Sequence, residues 1–194
     1  MTLGKVAPSP RNPHADNGLN SGHLKPGAGM NIDMSDRRAV ERRLWDEIER
    51  HQVGMLGIVG AAAHHLQPMT AFVEQEHEQI WFFTRADTDL VRQIGDGHAG
   101  LFVFQQKEIQ ACIHGGLTAR HDPARIAKYW NAVVAAWYPQ GRDDPGLIML
   151  RLECMDAEVW ISQAAPIKFA WEIAKANATK HAPDLGGKAN LHFH

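Results

Sequence analysis

Gln67-Pro68-Met69-Thr70 and Ile80-Trp81-Phe82-Phe83-Thr84 are the two stretches that decide the fold of this chain. The first lies within a longer extended segment, 66–73, and the second is dense in aromatic and β-branched residues, which favour strands. The polar residues 74–79 between them are typical of a turn. The pair therefore predicts two neighbouring antiparallel strands.

Working outward from this pair, the same signals predict five more strands, at 53–59, 100–106, 109–119, 147–152 and 157–162, with a turn at Met155-Asp156 between the last two. Helices are predicted at 36–48 after Ser35 as the N-cap, at 88–94, at 123–137 after Asp122 as the N-cap, and at 166–178. Most strands follow one another at hairpin spacing. This order predicts an α+β fold, mainly antiparallel β, in the form of a β-barrel with flanking helices rather than a doubly wound sheet.

The domain organisation follows from length and local composition. The chain has 194 residues, enough for one domain with a sizeable core. Residues 1–34 are rich in Pro, Gly, Asn and Ser, so we expect a disordered N-terminal tail. We expect the barrel domain to occupy 35–165, and a C-terminal helix and tail to occupy 166–194.

Composition excludes several classes of function. The formal net charge is -2, so the chain is not expected to bind nucleic acid. No apolar run reaches the roughly 18 residues of a membrane span, and no apolar segment near the N-terminus suggests a secretory signal. The two cysteines form no CxxC pair, and the adjacent His64 and His65 would face opposite ways on a strand, so neither a disulfide framework nor a metal site is predicted. These features together favour a cytoplasmic protein.

The two stretches resemble the "RPM … WFFT" signature of the pyridoxamine 5′-phosphate oxidase-like proteins, and more narrowly the general stress protein 26 group. Other segments are similar to family motifs in the same order. They are Leu44-Trp45 in the opening helix, Gly54-Met55-Leu56 in the first strand, residues 137–145 against "WFPxGxxDP", residues 157–160 against "AEYW", and the tail at 183–186. The resemblance covers about residues 40–187.

The resemblance implies an FMN-binding split β-barrel that forms a homodimer and holds FMN in clefts between the subunits. A flat flavin ring needs strand edges that offer backbone hydrogen bonds, and its phosphate needs cations or hydroxyls. The cofactor-binding residues that we expect on this basis are Gln67, Pro68, Met69, Thr70, Phe83, Thr84, Arg85, Thr88 and Trp137. For Trp137, a place in the core or at a subunit interface is the alternative to ligand contact.

The departures from the family pattern fall on the phosphate side of the expected site. Gln67 stands where the family has Arg, and Leu90 stands where it has Lys, while Thr88 replaces a Ser. Charge-assisted hydrogen bonds contribute about 1.5–3 kcal/mol each. Losing two would weaken a phosphorylated ligand by about two to four decades. Arg85 and Arg92 are the nearby cations that could compensate, although strand alternation could point Arg85 away from the site.

Two functions remain open at this level. The first is an FMN-binding protein of the general-stress type that acts as a flavin-dependent oxidoreductase, for which the sequence offers no credible general base. The alternative is a non-enzymatic, stress-associated binding protein that has lost tight FMN binding or holds another flat cofactor, such as a deazaflavin or haem. His114, in a strand where the family has serines, lies either at the cleft or on the wet face of the barrel.

Overall fold

The computed structural model of the chain describes residues 32–60, 65–162, 166–180 and 186–194. The expected tail therefore lies outside the described residues except for 32–34, and His64 and residues 183–185 lie outside them as well. The expectation of disorder in the tail stays a prediction. None of the helices in the described ranges is long and apolar enough to cross a membrane.

Eight strands and five α-helices make up the described fold. The strands are β1 (Val53–Ile58), β2 (Gln67–Thr70), β3 (Phe72–Glu74), β4 (Gln79–Arg85), β5 (His98–Gln105), β6 (Ile109–Arg120), β7 (Leu147–Ser162) and β8 (Gly186–His192). The helices are α1 (Arg37–His51), α2 (Asp89–Ile94), α3 (Pro123–Tyr129), α4 (Ala132–Ala135) and α5 (Pro166–Thr179). The predicted α+β split barrel with flanking helices is confirmed.

The strand order explains why the sheet curls into a barrel. All pairs are antiparallel in the order β2-β1-β5-β6-β7-β4-β3, and β8 adds to β7. The two ends of this order, β2 and β3, are consecutive in sequence and separated by Ala71 alone. Ala71 is fully buried, and its N–H donates to the carbonyl of Gln52 at 2.7 Å. The chain itself thus joins the two edges of the sheet.

Helix α1 plugs one side of the barrel. Val40, Leu44 and Ile48 recur at helical spacing and are fully buried against the sheet. The helix is capped by Asp36, whose carboxylate accepts the N–H of Ala39 at 3.1 Å, so the prediction of Ser35 as the cap is wrong by one residue. Aspartate at this position also complements the helix dipole.

Four further predictions from local patterns are wrong. The predicted strand over 66–73 is broken at Ala71, so Gln67–Thr70 (β2) pairs with β1, and of the two pieces only β3 lies beside β4 as an antiparallel neighbour. Residues 147–162 form one strand of 16 residues, not two strands around a turn. The predicted helix over 123–137 is broken at Asn131, whose side chain accepts the N–H groups of Val133 and Val134 and so starts α4 afresh. The predicted tail after the last helix contains β8, in which Ala189 and Leu191 are buried at alternate positions.

Strands β6 and β7 stay paired across a shift in their register, and a glycine makes this possible. The register shifts between His114 and Gly115, and a β-carbon on Gly115 would lie 2.0 Å from the Glu153 carbonyl oxygen. Met155, where a turn was predicted, instead accepts the N–H of Phe193 at 2.9 Å. The close approach at Gly115 thus replaces the turn with a bulge.

A second, smaller core lies on the other face of the sheet, beneath α3 and α4. Its buried members are Phe72, Trp81, Ile126, Val134, Tyr138, Leu147 and Met149. This cluster fixes the position of α3 and α4 relative to β3 and β4. Those elements provide much of the wall of the cavity described next.

Candidate functional site

A cavity of about 720 Å³ lies between the C-terminal end of α1, strands β2 to β4, and α4 with the residues that follow it. This volume falls within the roughly 300–1,000 Å³ typical of small-molecule and cofactor sites. Eight of the nine residues expected to bind a cofactor line this one cavity: Pro68, Met69, Thr70, Phe83, Thr84, Arg85, Thr88 and Trp137. Gln67 does not line it.

Strand β2 supplies one wall. Thr70 pairs with Val53 and Pro68 with Met55, and the strand has no other neighbour in the sheet order, so proline costs no ladder hydrogen bond on that side. Gln67 lies at the far end of β2, where its amide nitrogen is 3.8 Å from the sulfur of Met69. The residue in the family's Arg position is therefore directed at its own strand neighbour.

The C-terminal end of β4 supplies the opposite wall. Phe83 packs edge-on against Phe72, with ring centroids 5.5 Å apart, and Thr84 is buried. The hydroxyl of Thr88 donates to the carbonyl of Arg85 at 3.0 Å and accepts the N–H of Val91 at 3.3 Å. Because a hydroxyl has one proton, Thr88 can offer a ligand only its remaining lone pair.

Arg85 is the arginine that lines the cavity, despite the alternation that could have turned it away. Its Nε is 3.2 Å from an oxygen of Asp87, and its Nη1 is 3.9 Å from an oxygen of Asp144. Its side chain remains 46% exposed. The guanidinium is thus partly neutralised by two carboxylates yet accessible to a ligand.

The loop before β7 shapes the place where Arg85 lies. Asp144 is buried, and its carboxylate accepts the N–H of Gly146 at 2.8 Å. The carbonyl of Gly146 accepts the N–H of Ala86 at 2.9 Å, so the loop is tied to the end of β4. A β-carbon on Gly146 would lie 2.7 Å from Nη2 of Arg85. Glycine there leaves room for the guanidinium.

Leu90, which stands at the family's Lys position, and Arg92, the other candidate for a compensating cation, both lie away from the cavity lining. Leu90 is half-buried and packs against the main core. The guanidinium of Arg92 donates to the carbonyl of Asp87 and pairs with Asp89, within its own helix and turn. Arg85 is therefore the candidate for the compensating cation, and Arg92 is not among the residues that line the cavity.

Aromatic residues after α4 form the outer rim. Trp137 is 75% exposed, so it is not a core residue. The neighbouring Tyr138 is buried, and burial raises the pKa of its phenol to about 12, with Arg85 lowering it and Asp144 raising it. Tyr138 is consequently a neutral part of the wall, whereas Trp137 is free to contact a ligand or a partner.

The structure adds lining residues that the sequence did not point to, among them His51, Gln52 and Asn131. The Nε2 atom of His51 is 3.3 Å from a carboxylate oxygen of Glu47, which is buried and also paired with Arg43 and Arg50. Nothing in the local composition distinguishes His51 and Gln52, because their position depends on where α1 ends.

His114 does not line the cavity. It lies on β6, half-buried, with Nδ1 3.1 Å from a carboxylate oxygen of Asp156 on β7. In the ranges that the structure describes, no three His, Cys, Asp or Glu side chains converge as they would around a metal ion.

The fold and the cavity define a class: a split-barrel protein with a largely apolar cleft that, in the described part of the chain, has hydroxyls and an arginine at its edge. The chain belongs to the pyridoxamine 5′-phosphate oxidase-like family, whose model matches residues 39–184. A comparison with curated proteins found no match.

Solved structures support this assignment. A protein from Jannaschia sp. CCS1 assigned as general stress protein 26 is 30% identical over 80% of this chain and 99% of its own, with a TM-score of 0.68. The general stress FMN/FAD binding protein from Xanthomonas citri is 34% identical over 66% of this chain and 92% of its own, with a TM-score of 0.62. A protein from Xanthomonas campestris pv. campestris assigned to the general stress family is 35% identical over 67% and 92%, also with a TM-score of 0.62.

Proposed function

We propose that this chain is a flavin-binding protein of the general-stress type, with FMN as the cofactor. The observation that carries the proposal is the convergence, in one cavity of about 720 Å³, of the residues of β2, the end of β4 and Trp137. The name of the Xanthomonas citri relative, an FMN/FAD binding protein, supports the same ligand class.

The residues present fit the two parts of such a ligand unequally. Pro68, Met69, Phe83 and Trp137 offer apolar surface suited to a flat ring. Arg85 is the group suited to a phosphate, with Thr84 nearby as a hydroxyl. The cavity thus offers ample apolar surface for the ring. For the phosphate it depends on Arg85, which already has two carboxylate neighbours.

The chemistry of the proposal is that of the cofactor. A bound flavin would supply electron and hydride transfer. The protein's own part would be to position the ring between β2 and β4, to cover it with Trp137, and to hold the phosphate at Arg85. We propose a flavin-dependent oxidoreductase on this basis and assign no catalytic residue.

One observation favours the alternative of a binding protein with weak affinity for FMN. Gln67 and Leu90, the residues at the family's two cation positions, lie outside the lining. Without cations at those two positions, the site would lose most of its affinity for a phosphorylated ligand and least of its affinity for the bare ring. A deazaflavin or haem would then be the competing flat cofactors.

A spectrum of the purified protein tests the proposal. Visible absorption of an oxidised flavin that survives gel filtration, or saturable FMN binding at micromolar concentration, would support it. A colourless protein that binds neither FMN nor riboflavin would refute flavin binding. A haem-type spectrum would favour the alternative. Bleaching of bound flavin by a reduced nicotinamide nucleotide under anaerobic conditions would then separate an oxidoreductase from a binding protein.

We also propose that the chain acts as a homodimer that covers the mouth of the cavity. Large apolar side chains lie exposed around this mouth: Val53 is 56% exposed, Val133 72% and Trp137 75%. Exposed apolar groups clustered in this way are typical of interaction surfaces. Light scattering coupled to size exclusion should give a dimer mass, and Val133→Asp should shift the mass toward the monomer. A monomeric wild-type protein at high concentration would contradict the proposal.

A further inference from the structure

Gln52, the residue between α1 and β1, has a backbone conformation that glycine would adopt more easily. Its φ is 54° and its ψ is -25°, in the left-handed region. A β-carbon is unfavourable there, and helices that end in this way usually use Gly or, less often, Asn. The strain raises the question of what the glutamine side chain contributes.

The main chain of Gln52 does not require a glutamine. Its N–H donates to the carbonyl of Ile48 at 2.8 Å, and its carbonyl accepts the N–H of Ala71 at 2.7 Å. Glycine could make both bonds. Glu78 is another non-glycine residue with positive φ, at 53°, but its carboxylate accepts the N–H of His194 at 2.6 Å. The side-chain carboxamide of Gln52 has no such protein partner among the described residues.

Gln52 also lies where two cavities meet. A second cavity of about 300 Å³, beside the α3–α4 connection, shares Gln52, Phe72 and Asn131 with the main cavity. Phe72 has no polar side-chain atom. Asn131 is engaged, since its oxygen caps α4 and its amide nitrogen is 3.4 Å from the carbonyl of Tyr129. Gln52 is thus the uncommitted polar side chain of the three.

We propose that Gln52 is a specificity-determining residue that hydrogen-bonds the imide edge of the ring held in the main cavity. A carboxamide offers an acceptor oxygen and two donor protons. It therefore complements a ring edge where an N–H lies between two carbonyls, as in the pyrimidine part of a flavin or a deazaflavin. Haem has no such edge. The inference rests on the proposed function for its ring class and refines it, because it separates flavins from haem.

Two variants of the full-length chain isolate the side chain from the backbone. Gln52→Ala keeps the β-carbon and the strain but removes the amide, and Gln52→Gly removes both. In the absence of ligand we expect Gln52→Gly to unfold at a higher temperature than wild type and Gln52→Ala to unfold close to wild type. Both should bind FMN and riboflavin about three- to tenfold more weakly, because one neutral hydrogen bond is lost and the phosphate is not involved.

A third probe, 3-methylriboflavin, blocks the imide N–H. Methylation should cost the wild-type protein about three- to tenfold in affinity and should cost Gln52→Ala much less, because the partner of that N–H is already gone. Equal costs in the two proteins would overturn the assignment. So would undiminished riboflavin binding by Gln52→Ala, or a lower unfolding temperature for Gln52→Gly, which would give the side chain a structural role.

Failure of the two proposals can be told apart. A wild-type protein that binds neither FMN nor riboflavin refutes the proposed function, and this inference falls with it. A wild-type protein that binds both, with variants that bind them equally well, refutes the role of Gln52 alone.

Discussion

Arg85→Gln tests the phosphate side of the cavity separately from the ring side. A charge-assisted hydrogen bond contributes about 1.5–3 kcal/mol. The lower end applies here, because the Arg85 side chain is 46% exposed and already lies 3.2 Å from Asp87 and 3.9 Å from Asp144. A loss of about 1.5 kcal/mol weakens FMN binding by about tenfold. Riboflavin, which lacks the phosphate, should keep its affinity within about twofold.

The assay is a fluorescence titration of both ligands at low and high salt. Wild-type affinity for FMN should fall as salt rises, because salt screens the attraction between Arg85 and the phosphate. The variant lacks this pair, so its affinity should depend less on salt. Arg142→Gln is the matched control, since Arg142 is an exposed arginine of the loop before β7 that does not line the cavity. Unchanged FMN affinity would show that the phosphate is held elsewhere. An equal loss for riboflavin would show that Arg85 shapes the ring site instead.

Three further changes should separate the roles of neighbouring residues. Gly146→Ala should displace the guanidinium of Arg85 and weaken FMN but not riboflavin, whereas Gly116→Ala, whose β-carbon would meet nothing within 4 Å, should change neither. Glu74→Gln should lower the unfolding free energy by about 2 kcal/mol in urea titrations, because the variant loses a buried carboxylate that accepts four hydrogen bonds from three residues. Leu90→Lys should destabilise the fold by about 1 kcal/mol without tightening FMN, because the leucine packs against the main core.

The Glu74 prediction has a pH signature. Burial by itself raises the pKa of this carboxyl, but hydrogen bonds from Lys128, Tyr129 and Arg125 outweigh it, so the pKa lies below its ordinary value of 4.5. A depressed pKa in the folded state contributes stability above pH 4.5 and loses it as the pH falls further. Wild-type stability should therefore decline in that range more steeply than that of Glu74→Gln. Parallel curves would contradict this, as would tighter FMN binding by Leu90→Lys or equal effects of the two glycine changes.

Much of the fold was predictable because its signals are local. Strand β4 follows from its aromatic residues, and α3 begins where Asp122 and Pro123 predict. The convergence of Pro68–Thr70 with Phe83 and Thr84 was anticipated through the family resemblance rather than through periodicity. The detailed geometry of the cavity lining was not predictable in this way, because it depends on where each strand ends.

The features that could not be predicted depend on distant partners. β7 continues past the bulge at Met155 without a turn because β4 and β8 occupy successive parts of its other edge, and neither is near it in sequence. Arg85 lies at the cavity beside Asp144 and Gly146, two residues of the loop before β7 that are far from it in sequence. The proposed role of Gln52 starts from its positive φ, and the residue type alone does not reveal that backbone angle.

The pairing of the first helix with the last strand has a consequence for biosynthesis. Phe193 follows β8 and packs against Trp45 of α1, with ring centroids 5.5 Å apart. The ribosome makes Trp45 long before Phe193. Until then, the apolar stripe of α1 lacks part of its final cover and is a ready target for chaperones. Contacts so far apart in the chain also slow folding. A fusion or cleavage near residues 186–193 would therefore affect the yield of folded protein before it affected any chemistry in the cleft.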